Sequence, residues 1–233
     1  MEKKIRLDKF LAQCLGLTRS QATKLLKSKL VTLNGQIITN NLDINANDIV
    51  SYQGQELSIG PKFHYYVINK PAGYICANFD RMHQTVFDLL DSNISKIKNI
   101  HTVGRLDKDT TGLLLITNDG ELTHQLLAPK KHVDKTYYVT LKDPCPSTLI
   151  KVFAEGFELS KDEKTKPAKL EIIKPTFVHL TISEGKYHQV KRMFAKFGNE
   201  VVMLHRQSFG SLSLDKLALD LGEYKELKRE EIK

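Results

Sequence analysis

No uninterrupted apolar run reaches the roughly 18 residues that a membrane-spanning helix needs. The opening segment, MEKKIRLDKF, carries charge where a secretory leader would carry an apolar stretch. Neither spanning nor secretion is expected, and the expected location is cytoplasmic. Cysteine is scarce: Cys14, Cys76 and Cys145 lie far apart without CxxC spacing, so neither a disulfide framework nor a zinc knuckle is suggested. The histidines are scattered without ligand spacing, and no metal is expected. Also missing are the GxGxxG of a dinucleotide fold, the GxxxxGK[ST] phosphate loop, the GxSxG nucleophile elbow and the HExxH zinc helix. No repeat or low-complexity segment interrupts the chain.

What is present suits a globular protein. Of 233 residues, 41% are hydrophobic and 27% charged, enough to bury a real core and to build two units of unequal size. The formal net charge of +8 points to an anionic partner, of which nucleic acid is the commonest. Its distribution says more. Residues 1–30 hold Lys3, Lys4, Arg6, Lys9, Arg19, Lys24, Lys27 and Lys29 against Glu2 and Asp8, a net of +6. In residues 186–206, Lys186, Lys191, Arg192, Lys196 and Arg206 face only Glu200. Two separated basic patches suggest two contacts with one extended polyanion. The tail from Asp215 alternates in sign and reads as a solvated face.

The front of the chain reads as two short helices and a small sheet. Leu7, Phe10, Leu11, Cys14 and Leu15 fall at helical spacing, and Gly16 ends the run. Thr18 to Gln21 has capping-box form ahead of Ala22, Leu25 and Leu26. Val31-Thr32-Leu33 is strand-like, Asn34-Gly35 is a hairpin signal, and Asp48 to Tyr52 is a further strand. The boundaries are a front module at 1–59, a linker at 60–62 and a body at 63–233.

In the body, strands are expected at His64–Lys70, His101–Asp107, Leu113–Thr117, Thr136–Leu141, Lys169–Ile173, His179–Ser183 and Val201–Leu204. Helical pieces are expected at Thr85–Leu90, Glu121–Leu127 (closed by Pro129), Ser147–Ala154 and Tyr187–Phe197. Strands cluster instead of alternating with helices, which makes the fold class α+β with a largely antiparallel sheet.

One stretch stands out for chemistry: Val103-Gly104-Arg105-Leu106-Asp107-Lys108-Asp109-Thr110-Thr111-Gly112, followed by the apolar Leu113–Ile116. A carboxylate at a strand end beside an arginine can be aimed into a cleft, though Arg-x-Asp is also a common surface ion pair.

Two resemblances then apply. RLDKFLAQCLGLTRSQATKLLKSKLVTLNGQ resembles the S4 RNA-binding module, which implies RNA contacts from Arg6, Lys9, Arg19, Lys24, Lys27 and Lys29. GRLDKDTTGLLLITNDG resembles the central motif of the RsuA/RluA-type pseudouridine synthases, and Lys135-Thr136-Tyr137, EGKYHQVKRM at 184–193, NKPAG at 69–73 and V-x-x-L-x-R at 201–206 agree with it. The resemblance implies an isomerase that turns uridine into pseudouridine without a cofactor, on an rRNA partner, with Asp107 as the essential carboxylate. It further implies that Arg105 fills the gap left by a flipped base or holds the displaced backbone, that Tyr137 stacks on the uracil, that Lys191 pairs with Asp107 and that Leu204 packs beneath Asp107 or the base. His188 and Gln189 read as helix-capping or orienting residues. The S4 module, Lys191 in place of arginine and the lack of a long basic C-terminal extension favour the RsuA branch, hence small-subunit (16S) rRNA and uridine 516. The alternatives are a large-subunit (23S) synthase of the same family and a non-catalytic RNA-binding assembly protein. Nothing in the pattern argues for more than a monomer.

Overall fold

The structure is a computed structural model that describes residues 4–45, 47–57, 63–128 and 133–232. Contacts divide the chain into two units, Met1–Lys62 and Phe63–Lys233. The expected linker at 60–62 and the helix-closing Pro129 lie outside the described residues.

In the first unit, the helix Leu7–Leu15 buries Leu7, Phe10 and Leu11, and Gly16 ends it at φ +66° with its N–H returned to Ala12. The helix Arg19–Leu26 opens on Thr18, whose hydroxyl accepts from Gln21 N–H while the Gln21 side chain accepts from Thr18 N–H at 2.8 Å. Both helices share one core with a sheet ordered Gln36–Ile37, Val31–Leu33, Val50–Tyr52, Gln55–Leu57. Asn34 and Gly35 take φ +51° and +83°, as a type I′ hairpin requires. The Gln55–Leu57 strand has too little alternation to be read from sequence.

The second unit is built on one mixed sheet. Its main path runs Lys169–Lys174, Phe177–Ile182, Lys135–Leu141, Val201–Phe209, Thr111–Thr117, Tyr65–Lys70, Tyr224–Glu226. Every neighbouring pair on it is antiparallel except the parallel contact of Thr111 and Gly112 with His205 and Arg206. The fold is α+β, as expected.

Both central strands are apolar because both faces of the sheet are covered. Tyr66, Ile68, Leu114 and Ile116 face one core with Phe153, Met193 and Phe194, whereas Tyr65, Val67, Leu113 and Leu115 face a second core with Leu122 and Leu126. Each such side chain contributes about 1.5–3 kcal/mol by leaving water. Lys135–Leu141 alternates instead, turning Lys135, Tyr137, Val139 and Leu141 inward.

Three expectations are corrected. Of the expected 101–107 strand, only His101–Thr102 is strand, with Val103 N–H still donating to Leu115 O at 2.7 Å; residues 104–107 form a loop, turned at Gly104 with φ +72°. The expected 187–197 helix spans Gln189–Ala195, because His188 takes a left-handed φ of +46°. The tail is not merely a solvated face: Tyr224–Glu226 pairs along Tyr65–Lys70, and Leu227 and Ile232 enter the second core. Among the described residues, no helix is long and apolar enough to cross a membrane.

Candidate active site

The loop carrying Asp107 is held from beneath by a buried cation. Lys70 ends a strand buried throughout, has 0% exposure, and donates from Nζ to the carbonyls of Pro71 (3.0 Å), Asp107 (3.2 Å), Lys108 (3.3 Å) and Thr110 (2.8 Å). Burial lowers its pKa, against the pull of Cys76, Asp109 and Asp107. Leu106 turns into the core and its backbone exchanges hydrogen bonds with Cys76 Sγ at 3.3 and 3.4 Å. Arg105 and Asp107, on either side of Leu106, face outward along a cleft of about 700 Å³.

Asp107 meets two partners from the turn and helix after the Phe177–Ile182 strand. His188 Nε2 lies 3.4 Å from its Oδ1 and Lys191 Nζ 3.3 Å from its Oδ2. The carboxylate's partners are therefore His188 and Lys191, not Arg105. Lys191 is also bound more closely to Asp109, at 2.6 and 2.8 Å, so it bridges two acids instead of serving Asp107 alone. Burial works against its charge, yet the Asp109 hydrogen bond and the Asp107 carboxylate leave its pKa raised. The Lys191 hydrogen bond in turn holds Asp109 below the usual carboxylate range.

The segment before the helix is braced by Gln189, which accepts from Lys186 N–H at 2.9 Å and donates to Glu184 at 2.7 Å. Gln189 thus orients the turn, as expected. His188 does not: it makes no side-chain cap, and its ring stacks on Tyr187 and reaches Asp107.

Beside the cleft is a smaller pocket of about 140 Å³, lined by Asp107, Arg105, Tyr137 and Leu204 among others. Four of the five expected site residues border it, and the fifth, Lys191, touches Asp107. Tyr137 and Leu204 are each 8% exposed, on adjacent strands. Tyr138, on the opposite face, stacks on His179 at 4.1 Å. Sequence reasoning assigned no role to Lys70, Asp109 or Lys135 and counted Arg206 in a basic patch facing a polyanion, whereas Arg206 is 2% exposed; each lies inside a quoted motif. Lys70, Lys135 and Arg206 are buried, which the charge of a residue in a sequence does not reveal, whereas Asp109 is exposed. Among the described residues, no three His, Cys, Asp or Glu side chains gather as a metal-ligand set.

In the first unit, Arg6, Lys9, Lys24, Lys27 and Lys29 are exposed. Arg19 is partly committed within the unit, since its guanidinium grips the buried Asp8 at 2.9–3.2 Å.

Comparison with known proteins gives a consistent result. Residues 64–196 match the model of a family described as RNA pseudouridylate synthase, and residues 5–50 match the S4 domain. The chain is 45% identical over 230 residues to the ribosomal small subunit pseudouridine synthase A of Haemophilus influenzae, and equally to that of Escherichia coli K12, covering 98% of each chain. A crystal structure of a pseudouridylate synthase superposes with TM-score 0.69 at 45% identity, covering 98% of both chains. An H/ACA RNP structure bound to substrate RNA, at TM-score 0.52 and 17% identity over 69% of this chain and 51% of that chain, shares the fold alone.

Proposed function

Because the chain belongs to the RNA pseudouridylate synthase family, we propose that it isomerises one uridine of small-subunit (16S) rRNA, uridine 516, to pseudouridine, with Asp107 as the catalytic carboxylate. The observation that carries this reading is the position of Asp107. It stands at the border of a pocket that also has the Tyr137 ring and Leu204 on its wall, with a lysine and a histidine on its two oxygens.

The chemistry needs little else. The N1–C1′ bond of uridine breaks, the base turns, and C5 bonds to C1′; nothing is oxidised and no group is imported, so no cofactor takes part. An ionised carboxylate serves such a reaction as a nucleophile or as a base. Tyr137 offers a flat face to a base flipped from the RNA, Leu204 packs beside it, and Arg105, exposed at the cleft, holds the displaced strand. Lys191 keeps a positive charge beside Asp107. The exposed Arg6, Lys9, Lys24, Lys27 and Lys29 of the S4 unit, with Arg19, contact rRNA phosphates. The enzyme acts in the cytoplasm as a monomer on assembling small-subunit rRNA.

Mapping of pseudouridine in rRNA from a strain lacking the gene tests the target. The account predicts loss at uridine 516 of small-subunit rRNA alone, restored by the gene. Loss from large-subunit rRNA instead would contradict it.

A further inference from the structure

Two cations are buried together in the wall of the small pocket. Lys135 pairs across the sheet with Phe209, and Tyr137 with Arg206, and all four border the pocket that Asp107 borders. Lys135 Nζ lies 5.2 Å from the centre of the Phe209 ring, and Arg206 Cζ lies 5.3 Å from the same centre. Lys135 is 8% exposed and Arg206 only 2%.

Neither cation has a carboxylate within ion-pair distance among the described residues. Among the described residues Lys135 donates one hydrogen bond, to Val133 O at 2.8 Å, which leaves two of its three N–H groups without an acceptor there. Arg206 donates from Nε to Leu113 O at 2.7 Å, while its buried Nη2 meets no acceptor among the described residues. Burying unpaired charge opposes folding. A wall of this kind suits an anion that enters the pocket.

The isomerisation makes one there. As N1–C1′ breaks, its electron pair leaves with the uracil, and the charge spreads over N1, O2 and O4. We infer that Lys135, backed by Arg206, holds this uracil anion by donating to one of its carbonyl oxygens while the ring turns beside Tyr137. Asp107 answers the electron deficiency at C1′, either by a C–O bond that later breaks or by taking a C2′ proton that later returns. C5 then bonds to C1′ with the electron pair of the base, the C5 proton leaves to water, and N1 gains one. This inference rests on the synthase reading given above.

Protonation of Lys135 is poised for such a role. Burial, then the charge of Arg206, push its pKa down to about 8, opposed by Asp134 and Glu184 and assisted by Lys166. Asp107, Arg105, Lys186 and His188 also face the pocket. An amine that must be charged makes turnover fall as pH rises through about 8.

The test uses the full-length protein and small-subunit rRNA labelled with tritium at uridine C5. Lys135→Met should lower kcat about a hundredfold, as loss of an oxyanion donor does, with KM and RNA affinity unchanged. Lys135→Arg should keep much of kcat, and its alkaline limb should move up in pH because the guanidinium stays charged. Wild-type kcat in Lys135→Met would overturn the inference. So would a loss confined to KM with a flatter salt dependence, which marks a phosphate contact. If Lys135→Met fails to fold, an alkaline limb unmoved in Lys135→Arg overturns it alone. An active Asp107→Asn would instead remove the synthase reading on which the inference rests.

Discussion

The ammonium of Lys70 donates to the backbone carbonyl of Asp107 at 3.2 Å, so a buried cation with no exposure fixes the main chain of the candidate catalytic residue. Three further carbonyls of the two loops converge on the same amine. Lys70→Met retains the volume of the side chain but strips the donors from these carbonyls. Hydrogen bonds to a charged group are stronger than neutral ones, so a loss of about 3 kcal/mol is expected, read from the urea midpoint. Turnover should fall as well, because the loop is no longer pinned. An unchanged midpoint would show that the carbonyls find other donors.

Gly112 lets the Asp107 loop enter the sheet. A Cβ there would lie 2.3 Å from Arg206 O and 2.5 Å from Arg206 N, both backbone atoms, and φ is +111°. Gly112→Ala should therefore force apart the one parallel strand contact. Overpacking and left-handed strain together suggest a loss of about 3 kcal/mol in denaturant unfolding. Wild-type stability would mean that the two strands separate easily.

Tyr137 carries a separable test. Tyr137→Phe keeps the ring and should keep most binding of a uridine-containing substrate, whereas Tyr137→Ala should lose about 1–3 kcal/mol of base stacking. The Ala variant also opens a cavity in the core, so affinity and unfolding are measured side by side. Equal, mild effects of both substitutions on turnover would reduce Tyr137 to an ordinary core residue.

In the first unit, burial pushes the Asp8 carboxyl up, but the Arg19 guanidinium, the Asn41 amide and the Lys9 N–H outweigh it and leave the pKa lowered. A carboxyl with a depressed native pKa contributes stability above its ordinary value of 3.8 and loses it as pH falls through the native value. Amide exchange across 7–26 should accelerate as pH falls below that range, after correction for the intrinsic rate. Arg19→Ala should accelerate it already at neutral pH, by about 1–2 kcal/mol of protection. Exchange in Arg19→Ala that matches wild type at neutral pH would deny the pair a structural role.

Much of this architecture is legible in local pattern. The Thr18–Gln21 box, the Asn34-Gly35 turn, the run Leu113–Ile116 and the alternation around Tyr137 are short-range rules, and the structure obeys them. What escapes has long-range causes. Residues 101–107 read as a strand in the sequence, yet Lys70, 37 residues before Asp107, takes the Asp107 carbonyl into a loop. His188 reads as a helix residue, and only its left-handed backbone turns its ring to Asp107. The charged tail conceals Leu227 and Ile232, two isolated apolar residues that the second core absorbs. Lys135 and Arg206 read as surface charge, because a sequence does not reveal that two cations will share one buried wall.

Tritium release from C5-labelled uridine in small-subunit rRNA by Asp107→Asn tests the central claim most directly. The amide is nearly isosteric, so folding and RNA affinity should match wild type. It has no anionic oxygen to bond to carbon or to accept a proton, so release should be abolished. Release at the wild-type rate would show that another group performs the isomerisation.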